Sequence, residues 1–275
     1  MQTILLHLIP ASLYAGLGVR FWLACGRGTG LQSQTCMSRR ERLLLLVAML
    51  VHGSALQQGL FPGSEMRFGF GLALSLMVWL AICFYWVETL YARLDGLHAV
   101  AMPAGAVASL LPLFFPGSHV VANASSIAFR LHFVIAMLAY SLFTLAALHA
   151  LLMSFAGRQL HNARFSRMLG SLPPLLTMEA LLFRLIGIAF VLLTLTLASG
   201  ILFAESLFGQ ALRVDHKTVF AFVSWLLFGA LLVGRRVRGW RGRRALRWTL
   251  AGFVALMLAY VGSRFVVEII LQRVN

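Results

Sequence analysis

Residues 200–247 read GILFAESLFGQALRVDHKTVFAFVSWLLFGALLVGRRVRGWRGRRALR, and the reading of the chain turns on them. An apolar run ends near Glu205, and a short polar connector carries Arg213, Asp215, His216 and Lys217. A second apolar run climbs from Thr218 to Val233 and stops at a dense set of arginines, Arg235 to Arg247. A helix rises ~1.5 Å per residue and a bilayer's hydrocarbon core is ~30 Å thick. The second run therefore approaches the length of one membrane crossing, with the connector at one end and the arginines at the other.

The whole chain repeats that pattern. Of its 275 residues 60% are hydrophobic and 11% charged, and the mean hydropathy is +0.88. A soluble domain of this length needs more polar surface, so the expected class is an all-α, polytopic transmembrane bundle. The formal charge of +15 sits in short loops between apolar runs. That is what anionic head groups and the insertion machinery select, and it argues against a nucleic-acid partner. Cys25, Cys36 and Cys83 form no C-x-x-C pair and read as isolated, reduced thiols. The N-terminus lacks a basic leader region, so its first apolar run is expected to stay in the bilayer.

Eight spans are predicted in a single membrane domain, 1–275: about Thr3–Trp22, Leu43–Phe61, Phe68–Tyr91, His98–Phe115, Arg130–Phe155, Ala180–Glu205, Thr218–Val233 and Leu246–Ile270. Between the fifth and sixth, Gly157–Glu179 reads as a short interfacial helix broken by Pro173-Pro174. Alternate loops carry fifteen arginines on one side (27, 39, 40, 42, 93, 158, 164, 167 and the seven from 235 to 247). The other side has six basic residues, Arg67, Arg130, Arg213, Lys217, Arg264 and Arg273. The richer side is then cytoplasmic and both termini face outward.

This topology puts His132 and His216 at the outer ends of spans five and seven, with Asp215 and Lys217 flanking the latter. Two neutral imidazoles from neighbouring helices can hold a haem iron. Ala136, Ala139, Tyr140 and Phe143 follow His132 at helical spacing, small enough to admit a flat ligand and aromatic enough to stack on one. The alternative is that both histidines are solvated among head groups, that Asp215 caps span seven, and that the alanines only let helices approach. His52 is different, since it lies over ~10 Å from either end of span two. With Ser54, Gln57 and Gln58 it forms a polar stripe that either lines a cavity or bonds across helices. Glu88, Arg20 and Arg184 can snorkel to the cytoplasmic surface. Arg264 and Glu268 form an i, i+4 pair, and His149 and His161 have no obvious partner. No nucleophile triad, phosphate loop, zinc site or dinucleotide fingerprint is present, so no catalytic residue is assigned and no enzyme is expected.

Several pieces resemble one family. They are Arg184-Leu-Ile-Gly-Ile-Ala-Phe to Ser199-Gly200-Ile201, Asp215-x-Lys217, Ser224-Trp225-Leu-Leu-Phe228 and Gly239-Trp240-Arg-Gly242-Arg243. Together they look like the cytochrome c assembly family, the CcsA/CcmC/HemX-like haem-handling membrane proteins. The Asp215-His216-Lys217-Thr218 form and the Leu172-Pro-Pro-Leu-Leu-Thr-Met-Glu179 linker are similar to its bacterial inner-membrane YpjD branch. The likeness runs from about residue 130 to 270. It implies haem presented at the outer face for attachment to apocytochrome c, with His132 at the first of two outer histidine positions. The family's tryptophan-rich loop reads Leu207-Phe-Gly-Gln-Ala-Leu-Arg-Val-Asp215 here, without tryptophans. The second outer and the intramembrane histidine positions fall near Leu271 and Val233. Losing aromatic contacts of ~0.5–1.5 kcal/mol each weakens any haem platform, and His216 is the natural substitute ligand.

Three functions follow. The first is haem binding for cytochrome c biogenesis in a bacterial inner membrane. There His132 and His216 would be iron ligands, Asp215, Lys217 and Arg213 would engage propionates, and Tyr140 and His52 would be further cofactor contacts. Partners would be lipid, haem and cytochrome c maturation or other membrane proteins. The second is an accessory or scaffold subunit that keeps the fold without haem delivery. The third is a small-molecule transporter built on the His52 stripe.

Overall fold

The computed structural model describes residues 2–26, 38–91, 95–116, 119–121, 124–159, 175–202, 216–262 and 265. Among them are eight α-helices: α1 Gln2–Gly26, α2 Arg39–Leu60, α3 Phe70–Tyr91, α4 His98–Phe114, α5 Ile127–Gln159, α6 Leu175–Leu202, α7 His216–Arg238 and α8 Gly242–Met257. Seven are long and apolar enough to cross a membrane, and α4 is the shorter apolar exception. The chain is an all-α polytopic bundle. In lipid this is required, because a helix satisfies its backbone polar groups internally.

The helices form two four-membered rings. In the first, α1 packs on α2 and α4, and α3 closes the ring against both. In the second, α5 packs on α6 and α8, and α7 closes it in the same way. The rings meet mainly along α3 and α5. Small residues permit the close approaches. A Cβ on Gly105 of α4 would lie 2.6 Å from the Ile82 side chain and 3.2 Å from the Tyr14 ring, so only glycine lets the three helices converge there.

Two strands, Arg67–Phe68 and His119–Val120, pair antiparallel and tie the α2–α3 connection to the α4–α5 connection. Phe68 meets Tyr260 at 5.8 Å, and Phe70 meets Phe265 at 5.2 Å. His7 near the start of α1 bonds Ser109 near the end of α4. The described beginning of α1 and the residues that follow α8 thus lie toward the same end of the bundle.

The second ring closes through its diagonal. Phe143 of α5 and Phe228 of α7, both fully buried, stack at 3.9 Å between centroids and 21° between planes. Gly252 of α8 makes room, since a Cβ there would lie 2.9–3.1 Å from the Phe228 ring.

Helix ends depart from the sequence reading. The interfacial helix expected over Gly157–Glu179 is not separate at its edges: α5 continues to Gln159 and α6 begins at Leu175. The middle of that segment lies outside the described residues. Arg235, Arg236 and Arg238 extend α7 by more than a turn, since cations favour a helix C-terminus. Gly239, at φ +62°, ends the helix where a side chain would be strained. Trp240 then folds back, its N–H donating to the Gly234 carbonyl at 3.1 Å. Its indole covers Gly234 so closely that a Cβ there would lie 2.5 Å from the ring. Glu179 of α6 fastens this turn, accepting from Arg235 at 2.5 Å and from the Gly242 N–H at 3.4 Å. The Arg235 guanidinium also lies 4.6 Å from the Phe183 ring centroid. At the start of α2, Ser38 and Glu41 form a capping box, and Glu41 also pairs with Arg20 at 3.2 Å.

Two outcomes test this packing. Phe228→Ala is expected to lower unfolding stability by about 3 kcal/mol, the lower range for truncating a buried aromatic, read as a fall in melting temperature in detergent. A double-mutant cycle on Glu179→Ala and Arg235→Ala is expected to give a coupling of about 1–3 kcal/mol.

Candidate functional site

His132 stands on the first turns of α5, partly buried. Its Nδ1 shares a hydrogen bond of 2.8 Å with the Ser199 hydroxyl on α6, whose Oγ in turn donates to the Thr196 carbonyl at 3.0 Å. Gly200 lies beneath the ring, where a Cβ would meet His132 Cε1 at 3.6 Å. Ser199 therefore fixes the imidazole through one nitrogen. Metal-ligating histidines are commonly oriented in this way. Below His132 the residues expected on its face are buried: Ala136, Ala139, Tyr140 and then Phe143.

His216 is the first residue of α7 and is exposed. Two contacts place it along the bundle axis. From the Phe143–Phe228 stack, His132 is eleven residues away and His216 twelve, or roughly 16 and 18 Å at 1.5 Å per residue. From the bond of Trp225 Nε1 to Thr194 Oγ1 (2.9 Å), Ser199 is five residues away and His216 nine. Both rulers put His216 level with His132 or about one turn beyond it, at the same mouth but on the diagonally opposite helix.

Rotation separates His216 from its neighbour. The inward stripe of α7 is Ser224, Phe228 and Leu231, and extending it backwards at helical spacing reaches Ala221 and Lys217, both partly buried. His216 lies about 100° away from that stripe. Ser224 Oγ is buried with no hydrogen-bond partner among the described residues, one turn from Phe228 on the mouth side. At this end of the second ring the His132 imidazole is oriented on α5, Lys217 takes a position on the inner stripe of α7, and the Ser224 hydroxyl is buried one turn from Phe228. Arg213 and Asp215 lie outside the described residues.

His52 is fully buried in the first ring, its Nε2 paired with Ser75 Oγ at 2.9 Å and its ring edge-on to Tyr14 at 5.9 Å. The stripe expected around it does not converge. Ser54 donates to the Val51 carbonyl of its own helix, and Gln57 and Gln58 are exposed. His52 belongs to the other ring and is not brought to the His132 mouth.

Several residues were not anticipated from the sequence. His7 and His98 are buried, His7 Nδ1 on the Ser109 carbonyl at 2.8 Å and His98 Nδ1 on the Tyr85 hydroxyl. His149, expected to lack a partner, lies 3.8 Å from the Glu88 carboxylate across the α3–α5 seam. Glu88 therefore faces the seam as well as the surface. Ser199 was part of a family motif with no role attached; its spacing from α5 becomes visible only when the helices are docked.

Comparison with known proteins agrees with this frame. The cytochrome c assembly protein model matches residues 40–271. The chain belongs to the cytochrome c assembly protein family. Proteins similar to it include the inner membrane protein YpjD of Escherichia coli K12, 30% identical over 242 residues, 87% of this chain and 91% of that protein. The cytochrome c biogenesis protein CcsA of Gloeobacter violaceus is 34% identical over 92 residues, 34% of this chain and 27% of that protein. CcsA of Prochlorococcus marinus MIT 9515 is 39% identical over 88 residues, 32% and 28% of the two chains. The YpjD likeness thus spans nearly the whole molecule and the CcsA likeness a part of it.

Exposure ranks the histidines for chemical modification. Diethylpyrocarbonate is expected to carbethoxylate His216 first and His132 more slowly, leaving His52 and His149 protected until the protein unfolds. Peptide mapping by mass spectrometry reads that order directly.

Proposed function

We propose that this protein handles haem at the outer mouth of the α5–α8 ring, in a bacterial inner membrane, in support of cytochrome c biogenesis. The supporting observation is the His132 imidazole, held by Ser199 above a buried face of alanines and aromatics in a chain of the cytochrome c assembly family. The residues present fit such a group at one point strongly. An imidazole oriented through one nitrogen by a neighbouring helix is the arrangement common among metal-ligating histidines, and the buried Ser224 hydroxyl is a polar atom that a guest could satisfy.

His132 is the first ligand in this reading. His216 is the second, reaching the mouth by turning inward from the start of α7. Lys217, on the inner stripe, Arg213 and Asp215 would engage the propionates in this reading. Tyr140 would line the floor. His52, in the other ring, would act at a separate position. Haem would supply the iron centre and the vinyl groups through which it becomes attached to a cytochrome c; the chain itself would hold and orient it, and is assigned no catalysis. YpjD is by name an inner membrane protein, and CcsA by name a cytochrome c biogenesis protein. Both descriptions suit this placement.

A second reading has its own support. The connector Leu207–Asp215 carries no tryptophan and a single aromatic, Phe208, so a flat ligand would lack the indoles of the family's loop to stack on. This suits an accessory subunit that keeps the fold and binds a partner membrane protein. Absorption spectroscopy decides between them. Protein purified in detergent and titrated with haem is expected to develop a Soret band that His132→Ala abolishes. Ser199→Ala should weaken it several-fold and His216→Ala should shift it, as loss of one axial ligand does. Protein that stays colourless under haem, or a band unaltered by His132→Ala, overturns the haem reading.

A further inference from the structure

The seven arginines between Arg235 and Arg247 are not equivalent. Arg235 is claimed by Glu179, and Arg241 Nε approaches the same carboxylate at 4.0 Å. Arg236, Arg238, Arg243, Arg244 and Arg247 are exposed, and no carboxylate among the described residues pairs with any of them. The nearby acid is thus turned inward, and the outward guanidinium groups are left uncompensated.

Helical phase gives these arginines a particular neighbour. On α8, Arg243 and Arg247 continue the face formed by Ala251, Val254 and Leu258, of which Val254 and Leu258 are 56% and 42% exposed. On α7, Arg236 stands one turn beyond Val233, which is 60% exposed. These apolar stripes are what the protein offers to lipid chains, and each runs directly into arginine. Trp240 of the turn and Trp248 of α8 lie 5.0 Å apart, with the Arg244 guanidinium 5.5 Å from the Trp240 ring. Tryptophan favours the interfacial level of a membrane.

We propose that this corner, the lipid-facing side of the α7–α8 turn, is a binding site for an anionic phospholipid. Its phosphate would engage Arg243 and Arg247, with Arg244 and Arg236 beside them. Its acyl chains would lie along Val254, Leu258 and Val233. Guanidinium forks match phosphate oxygens bidentately, and basic clusters at the membrane edge recruit anionic head groups. A free phosphate or a nucleotide would satisfy the arginines and leave the stripes unused, so the apolar continuation favours lipid. The site is independent of the mouth around His132, which lies at the opposite end of the bundle.

The test uses the full chain in a mild, uncharged detergent. Phosphatidylglycerol, cardiolipin, phosphatidylcholine or inorganic phosphate is added, and retained adducts are read by native mass spectrometry beside the melting temperature. The two anionic lipids are expected to be retained and to raise the melting temperature, while phosphatidylcholine and inorganic phosphate do neither. Arg243→Gln with Arg247→Gln should weaken anionic-lipid retention at least tenfold, and Arg20→Gln, at the same end but paired with Glu41, should leave it unchanged. Arg243→Lys with Arg247→Lys keeps the charge that directs insertion, so it serves if the glutamine pair fails to accumulate; it should weaken retention at least threefold. Equal retention of phosphatidylcholine, or retention unaltered by both arginine pairs, overturns the site. A melting-temperature rise of equal size with inorganic phosphate alone overturns the assignment to lipid.

Discussion

The stack of Phe143 on Phe228 joins the diagonal of the α5–α8 ring, and the geometry of the mouth depends on it. Hydrophobic burial gives little net drive between helices already surrounded by hydrocarbon, so tight packing must do the joining. At 3.9 Å between centroids the two rings leave no channel at that level, and Gly252 yields the space they need. The Ser224 hydroxyl and the bonded His132–Ser199 pair lie on the same side of that stack, and Ala136, Ala139 and Tyr140, between His132 and Phe143 in sequence, are buried.

The other ring is built differently. Its interior holds His7, His52 and His98, each bonded through one nitrogen to a partner on another helix: the Ser109 carbonyl, the Ser75 hydroxyl and the Tyr85 hydroxyl. Buried imidazoles of this kind specify which helices adjoin, because an unpaired polar group in hydrocarbon is costly and a paired one is not. Across the seam between rings, Glu88 and His149 approach to 3.8 Å, a distance of ionic contact and not of a hydrogen bond.

The spans were legible in the sequence because hydropathy and length are averages over some twenty residues, which no single side chain can upset. Helix ends were less so. Arginine reads as loop on a hydropathy scale, yet Arg235 to Arg238 continue α7 until a glycine at positive φ stops it. His132 could be chosen as a site residue from its place at a span end and the motif around it. Its fixation by Ser199, sixty-seven residues away, depends on how α5 docks on α6. The rotation that sets Lys217 inward and His216 outward needed the phase of α7, which Phe228 supplies once its neighbours are known. The polar stripe around His52 had the right spacing, but two of its members face away from the ring, so spacing alone misjudged it.

The two short strands near the His132 end carry a mechanical implication. Arg67–Phe68 and His119–Val120 clasp the connection inside the first ring to the connection that leads into the second. Sliding α5 along α3 would have to open that clasp, and would carry His149 out of register with Glu88 at the far end. The rings are therefore latched at both extremities of their shared seam. A slide of one ring along the other would therefore cost contacts at both ends at once.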